Sequence, residues 1–145
     1  MENKQQRPLF LGFSSQKGGV GKSTLAEIIS SILFYEKDVN LFVVDCDLSQ
    51  DSFYKLRERE KSVIQKSEEL SRSMEAYFQT LGKQAYRIYK SAPRDAVKTA
   101  SNHIERLHDE EFQVVLFDFP GHAGTSELME LSLQMDYILS PLEAD

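Results

Sequence analysis

One cysteine and no tryptophan occur in 145 residues. A lone cysteine, Cys46, closes no internal disulfide, which excludes a small secreted scaffold held by bridges. No apolar run approaches the ~20 residues that a membrane-spanning helix needs. The opening stretch MENKQQRPLFLGFSS has only a short apolar core, Leu9 to Phe13, and no small-residue cleavage site, so it is not a secretory signal. Basic charge is in deficit: 17 Lys and Arg stand against 23 Asp and Glu, a net charge of −6 with a pI of about 5.1. That balance excludes coating nucleic acid by bulk charge. The deficit is uneven, because residues 52–113 hold 12 basic and 10 acidic side chains while the rest hold 5 and 13, which leaves a local basic face open. No Gly/Ser linker, low-complexity segment or internal repeat divides the chain. Together these absences predict one cytoplasmic domain over 1–145, long enough for a real core, with residues 1–7 polar and frayed.

What is present is an alternation of apolar runs and amphipathic stretches. LFLGF reads as a strand buried on both faces. STLAEIISSILFYEK places Leu25, Ile28, Ile29, Ile32 and Leu33 at helical spacing. VNLFVVDCD is a second buried strand ending in two aspartates, which completes a βαβ unit. From Ser52 to Lys83, Leu56, Val63, Leu70 and Tyr77 recur every seventh residue. The companion positions Glu60 and Ser67 are polar, so this pattern predicts one long helix lying on a sheet, with a coiled coil as the alternative. AYRIYKSA alternates as a short strand does. Pro93 opens a helix through HIERLHDEE. FQVVLFDFPG, TSELMELSLQM and DYILSPL read as strand, helix and strand. The expected fold class is α/β, three layers, with a mostly parallel central sheet and helices on both faces.

Between the first strand and first helix stands KGGVGKST, Lys17 to Thr24. The strict pattern Gly-x-x-x-x-Gly-Lys-Ser/Thr fails because position 16 is Gln16. The mechanics of a phosphate loop survive. Gly18, Gly19 and Gly21 let the backbone, Val20 included, curl its N–H groups around one anion. A helix beginning near Lys22 adds its positive end. Lys22 is placed to reach β- and γ-phosphates, and the Ser23 hydroxyl to reach Mg2+, with Thr24 completing the loop.

KGGVGKST resembles the deviant Walker A motif of the ParA/MinD ATPases, relatives of the nitrogenase iron protein. The resemblance implies that Lys17 is the signature lysine, reaching across an ATP-dependent sandwich homodimer to the partner's phosphates, while Lys22 serves its own nucleotide. A cation supplied in trans stabilises the charge that builds on phosphate oxygens. DCDLSQ resembles the family's DxDPQ switch, which implies that Asp47 positions the attacking water and Asp45 binds a water on Mg2+. VVLFDFPG resembles a Walker B strand, with Asp118 holding Mg2+ directly or through water and Gly121 sensing the γ-phosphate. YILSPLEAD resembles the next strand of the family, closed by Pro141. Cys46 reads as a small core residue, His122 as a polar loop residue, and His103 and His108 as part of a solvated helix end rather than a metal site.

The resemblance runs over Leu9 to about Asp51 and again over Phe112 to Asp145, while the helical region 52–113 matches in order and rough length only. Family members usually continue well past the EAD strand, so the pattern implies a truncated C-terminal part that elsewhere carries adenine recognition. ATP is therefore implied by the resemblance, and the lack of an Asn-Lys-x-Asp motif disfavours GTP. DFPGHAG and DCDLSQDS, with the charged helix, resemble ParA-like proteins of conjugative transposons and other mobile elements. The implied partners are a second copy and an adaptor of partition or transfer machinery, with DNA contact open. No membrane-targeting helix ends the sequence, which disfavours MinD-like membrane cycling. Two other functions stay open: a non-hydrolysing phosphate-binding interaction module, and a phosphotransferase with a small-molecule acceptor.

Overall fold

Five strands, all parallel to their neighbours, form the sheet of the computed structural model, which describes residues 7–15, 21–48, 52–121 and 126–142. They are β1 (Leu9–Phe13), β2 (Leu41–Asp45), β3 (Ile88–Lys90), β4 (Val114–Asp118) and β5 (Tyr137–Leu139), in the order β3-β2-β4-β1-β5. The helices are α1 (Lys22–Ser31), α2 (Ser52–Gln65), α3 (Glu68–Leu81), α4 (Ala96–Arg106) and α5 (Ser126–Leu133). A π-helical turn, Ile32–Glu36, prolongs α1, and a 3-10 turn, Pro93–Asp95, leads into α4.

Alternation along the strands builds two cores. Phe13, Leu41, Val43 and Leu116 face one way and meet Ala26 of α1 and Phe53 of α2. Phe10, Phe42, Val44, Val115 and Phe117 face the other way and meet Ala96 and Ala100 of α4 and Leu128 and Leu131 of α5. Helices therefore cover both faces, the arrangement the alternating sequence predicts, and a parallel strand buried on both sides has no polar face to show. Each fully buried Val, Leu or Phe contributes about 1.5–3 kcal/mol of transfer free energy. Gly12 in β1 is fixed by packing, since a Cβ there would lie 3.0 Å from Cε1 of Phe119.

The single helix expected over 52–83 is two helices. Ser67 adopts extended dihedrals (φ −122°, ψ 116°) and its Oγ accepts the Leu70 N–H at 3.2 Å, capping α3. The heptad-like row Leu56, Val63, Leu70, Tyr77 thus crosses a helix break, and the coiled-coil alternative falls with it. The signal was in the sequence: Ser67 followed by Glu68 and Glu69 is an N-terminal cap with acidic residues in the first turn. Gly82, at φ 64°, ends α3 in the left-handed region. α4 stops at Arg106, short of the acidic run that the amphipathic pattern included. Of residues 1–7, Arg7 is described: its guanidinium donates to both carboxylate oxygens of Asp136 at 2.8 and 2.9 Å.

Candidate functional site

β1, β4 and β2 end level with one another: Phe13 is the register partner of Asp118, and Asp118 of Asp45. Asp45 follows Leu41 and Val43 by twos, and Asp118 follows Leu116 by two, so both carboxylates lie on the face that α1 and α2 cover. Carboxyl ends of parallel strands, beside a reversal of strand order, are where α/β sheets bind ligands. Here β1 leads through α1 to β2, which lies on the far side of β4.

The chain enters α1 through Gly21, whose φ of 76° suits a residue without a side chain. The first two helical residues then point at β4. The Lys22 ammonium pairs with Asp118 Oδ1, and Ser23 Oγ donates to Asp118 Oδ2 at 2.9 Å. Both ends of the pair are inside the protein, with Asp118 1% and Lys22 7% exposed. Burial raises the Asp118 pKa, and the charge and hydrogen bond of Lys22 pull against it.

Asp45 is buried beside this pair. Its Oδ1 accepts the Asp47 N–H at 3.1 Å and its Oδ2 the Tyr54 N–H, from the first turn of α2, at 3.2 Å. Burial pushes Asp45 up to about 6; the Tyr54 N–H pulls it down, and the charge of Asp118 adds to the rise. The regular strand ends at Asp45, so Asp45 and Asp47 do not share a strand face as the two-residue spacing suggests. A turn closed by the Asp45 side chain brings Asp47 in instead, and Asp47 is buried as well. The described residues thus gather Lys22, Ser23, Asp45, Asp47 and Asp118 at one end of the sheet.

Other expected site residues fall elsewhere. Lys17, Gly18, Gly19 and Val20 lie outside the described residues, as does His122. Gly121 is half-buried after β4. Thr24 is exposed and lines a separate groove with Glu27 and Glu60. Cys46, one residue past β2, is buried in the core on the face opposite Asp45 and Asp118, continuing the alternation of the strand. His103 stacks on Tyr89 at 3.5 Å between ring centroids, and no cluster of three or more His, Cys, Asp or Glu among the described residues is built to hold a metal. Mg2+ does not need such a cluster, because it takes one or two carboxylates with phosphate and water oxygens. The Ser23 hydroxyl and the Asp118 carboxylate are hard oxygen donors 2.9 Å apart, so the residues present fit that ion. Sequence reading missed Tyr54, which acts here through its backbone N–H; a side-chain pattern carries no signal for that.

The fold is shared with a known structure. FlhF complexed with GMPPNP/Mg(2+) matches with a TM-score of 0.54 at 13% identity, over 93% of this chain and 44% of that one. Chloroplast FtsY from Physcomitrella patens matches with a TM-score of 0.49 at 21% identity, over 88% and 34%. The signal recognition particle receptor FtsY from Elizabethkingia anophelis, in complex with GDP, gives 0.47 at 17% identity, over 92% and 36%. The chain therefore spans less than half the length of each of these structures. No curated protein matches it. The model of the family described as ATPase MipZ matches residues 9–145, from the first residue of β1 through every strand and helix, and the chain belongs to that family of ParA/MinD-like ATPases.

Proposed function

We propose that the chain binds ATP with Mg2+ at the carboxyl edge of the sheet and works as a ParA/MinD-type molecular switch, hydrolysing ATP slowly. The observation that supports this best is the convergence of Lys22 and Ser23, consecutive residues at the start of α1, on the two oxygens of one buried carboxylate, Asp118. A lysine, a hydroxyl and a strand-end carboxylate in that relation are the groups that phosphoryl transfer requires. In this reading Lys22 exchanges Asp118 for the β- and γ-phosphates, while the backbone N–H groups from Gly18 to Thr24 cradle the anion. The Ser23 hydroxyl and Asp118 would hold Mg2+, which would supply neutralisation of phosphate charge. Asp45 would hold a water bound to that ion, Asp47 would orient the attacking water, and Gly121 would turn its N–H toward the γ-phosphate. Lys17 reaches the phosphates of a second copy, so ATP and homodimer form together. The output passes to an adaptor of DNA partition or conjugative transfer machinery of a mobile element.

The test is titration with ATP-Mg2+, followed by solution mass. Lys22→Ala is expected to abolish binding, and ATP affinity equal to that of the parent would defeat the site. Asp47→Ala is expected to retain ATP, lose turnover and run as a dimer with ATP but not ADP. A variant that binds phosphate, ADP and ATP alike and stays monomeric would replace the switch with a non-hydrolysing phosphate-binding module.

A further inference from the structure

α1, α2 and α3 border a groove of about 440 Å³ lined by Glu27, Ile28, Ile32, Tyr35, Glu60 and Tyr77 among others. Lys22, Ser23, Asp45, Asp47 and Asp118 do not line it. Glu27 of α1 and Glu60 of α2 both line the groove, two acidic side chains close enough to act on each other. Burial, then the neighbouring Glu60 carboxyl, pushes Glu27 up to about 7, against the pull of Arg57. Among the ion pairs of the described residues neither carboxyl takes part. Arg57 is engaged elsewhere: its guanidinium donates to the Tyr86 carbonyl at 2.9 Å and lies 4.4 Å from the Tyr86 ring centroid. The rim is apolar and open. Ile28 and Ile32, one helical turn apart, are 51% and 39% exposed, and Tyr77 is 43% exposed. The Tyr77 ring lies 6.1 Å from that of Tyr35.

We propose that this groove docks a basic amphipathic segment of a partner protein, one lysine or arginine side chain entering between Glu27 and Glu60 and the segment's apolar residues covering Ile28, Ile32 and Tyr77. Charge complementarity selects this occupant. A cation between the two carboxyls favours the ionised form of both, with charge-assisted hydrogen bonds to each. Two tyrosine rings beside the carboxyls favour a cation further. The volume is that of an ordinary ligand site, ample for one long side chain. A bare metal ion would leave Ile28, Ile32 and Tyr77 in water, whereas a peptide removes them from it. The groups that face Glu27 are Glu60 and Arg57 of α2, Glu36 and Tyr35 of the π-helical turn, Tyr77 of α3 and Tyr86 ahead of β3. The cation binds the ionised form, so affinity rises as pH increases through about 7. α1 begins with Lys22 and Ser23, and α2 holds Asp45 through the Tyr54 N–H, so a segment bridging α1 and α2 ties together the two helices that shape the candidate site.

The experiment uses the 145-residue chain without nucleotide, which keeps it independent of the ATP reading. The probe is a labelled synthetic helix of about 14 residues, with leucine and lysine segregated to opposite faces, and its counterpart with glutamate for lysine. Anisotropy is expected to show binding of the basic probe alone, tightening from pH 6 to pH 8. Glu27→Gln with Glu60→Gln should weaken it about tenfold or more. Ile28→Ser should weaken it as well, and Glu68→Gln with Glu69→Gln on α3 should not, with circular dichroism checking that each variant is folded. Equal affinity for the parent and the Glu27/Glu60 variant would overturn the proposal, as would binding of the acidic probe. Competition by spermidine or Mg2+ with no effect of Ile28→Ser would assign the groove to a small cation and overturn it too.

Discussion

Lys22 and Asp118 are 96 residues apart in sequence and form a buried ion pair. Removing one partner of such a pair leaves an uncompensated charge and costs about 3–5 kcal/mol, more than the pair itself contributes over an apolar substitute. Lys22→Met keeps the length of the side chain and discards the cation, leaving Ser23 as the donor to Asp118. The expected result is a lower urea midpoint whose deficit depends on pH. Asp118 already has a raised pKa from burial, and the loss of Lys22, which lowers it, raises it further. A folded-state pKa above the unfolded value favours the fold at low pH, and that advantage is lost as pH rises through the folded pKa. The deficit against the parent should therefore be small at pH 4 and grow toward pH 8. A deficit of the same size at both would show that Asp118 is not the group left stranded.

At the scale of elements, the break between α2 and α3 rests on a small local device. The Ser67 hydroxyl accepts the Leu70 N–H, and Ser71 Oγ donates back to the Ile64 carbonyl at 2.8 Å, so each helix end is satisfied across the break. Ser67→Ala is expected to lower stability by about 1 kcal/mol, the ordinary value of an N-cap. Chemical denaturation measures this, and ATP affinity should not change because the cap is remote from Lys22 and Asp118. A neutral substitution would mean that Glu68 and Glu69 hold the helix start through its dipole instead. The seven-residue row is legible in the sequence, whereas the break shows there only as Ser67 before two glutamates. A periodic stripe is a property of many residues, whereas a cap is one hydrogen bond that the stripe does not reveal.

At the scale of the whole molecule, helices cover the two faces of the sheet, while among the described residues no strand lies beside the outer edge of β5. Tyr137, Ile138 and Leu139 are all exposed, and so are Met129 and Leu133 of α5, at 69% and 81%. An uncovered edge strand with apolar residues invites association. The 145-residue chain is expected to self-associate with rising concentration in the absence of nucleotide, and Leu133→Lys with Tyr137→Lys to suppress this in light scattering. Concentration-independent monomers of the parent would show that the edge is not sticky. This association needs no ATP, which separates it from the proposed sandwich dimer.

The order of elements, the three layers and the inward positions of both strand-end aspartates were determined by the sequence itself, because a period of two on the strands and 3.6 on the helices leaves few ways to bury the apolar residues. KGGVGKST likewise carries, in its spacing of glycines and lysines, the expectation of a phosphate loop, of which Gly21 to Thr24 are among the described residues. The tertiary structure alone decided which carboxylate meets Lys22, because the β3-β2-β4-β1-β5 order sets β4 between β1 and β2. It alone placed Asp47 inside a turn closed by Asp45, and it alone brought Glu27 and Glu60 to one groove. Those contacts join residues from distant segments, and a linear pattern records the residues but not the distances between them.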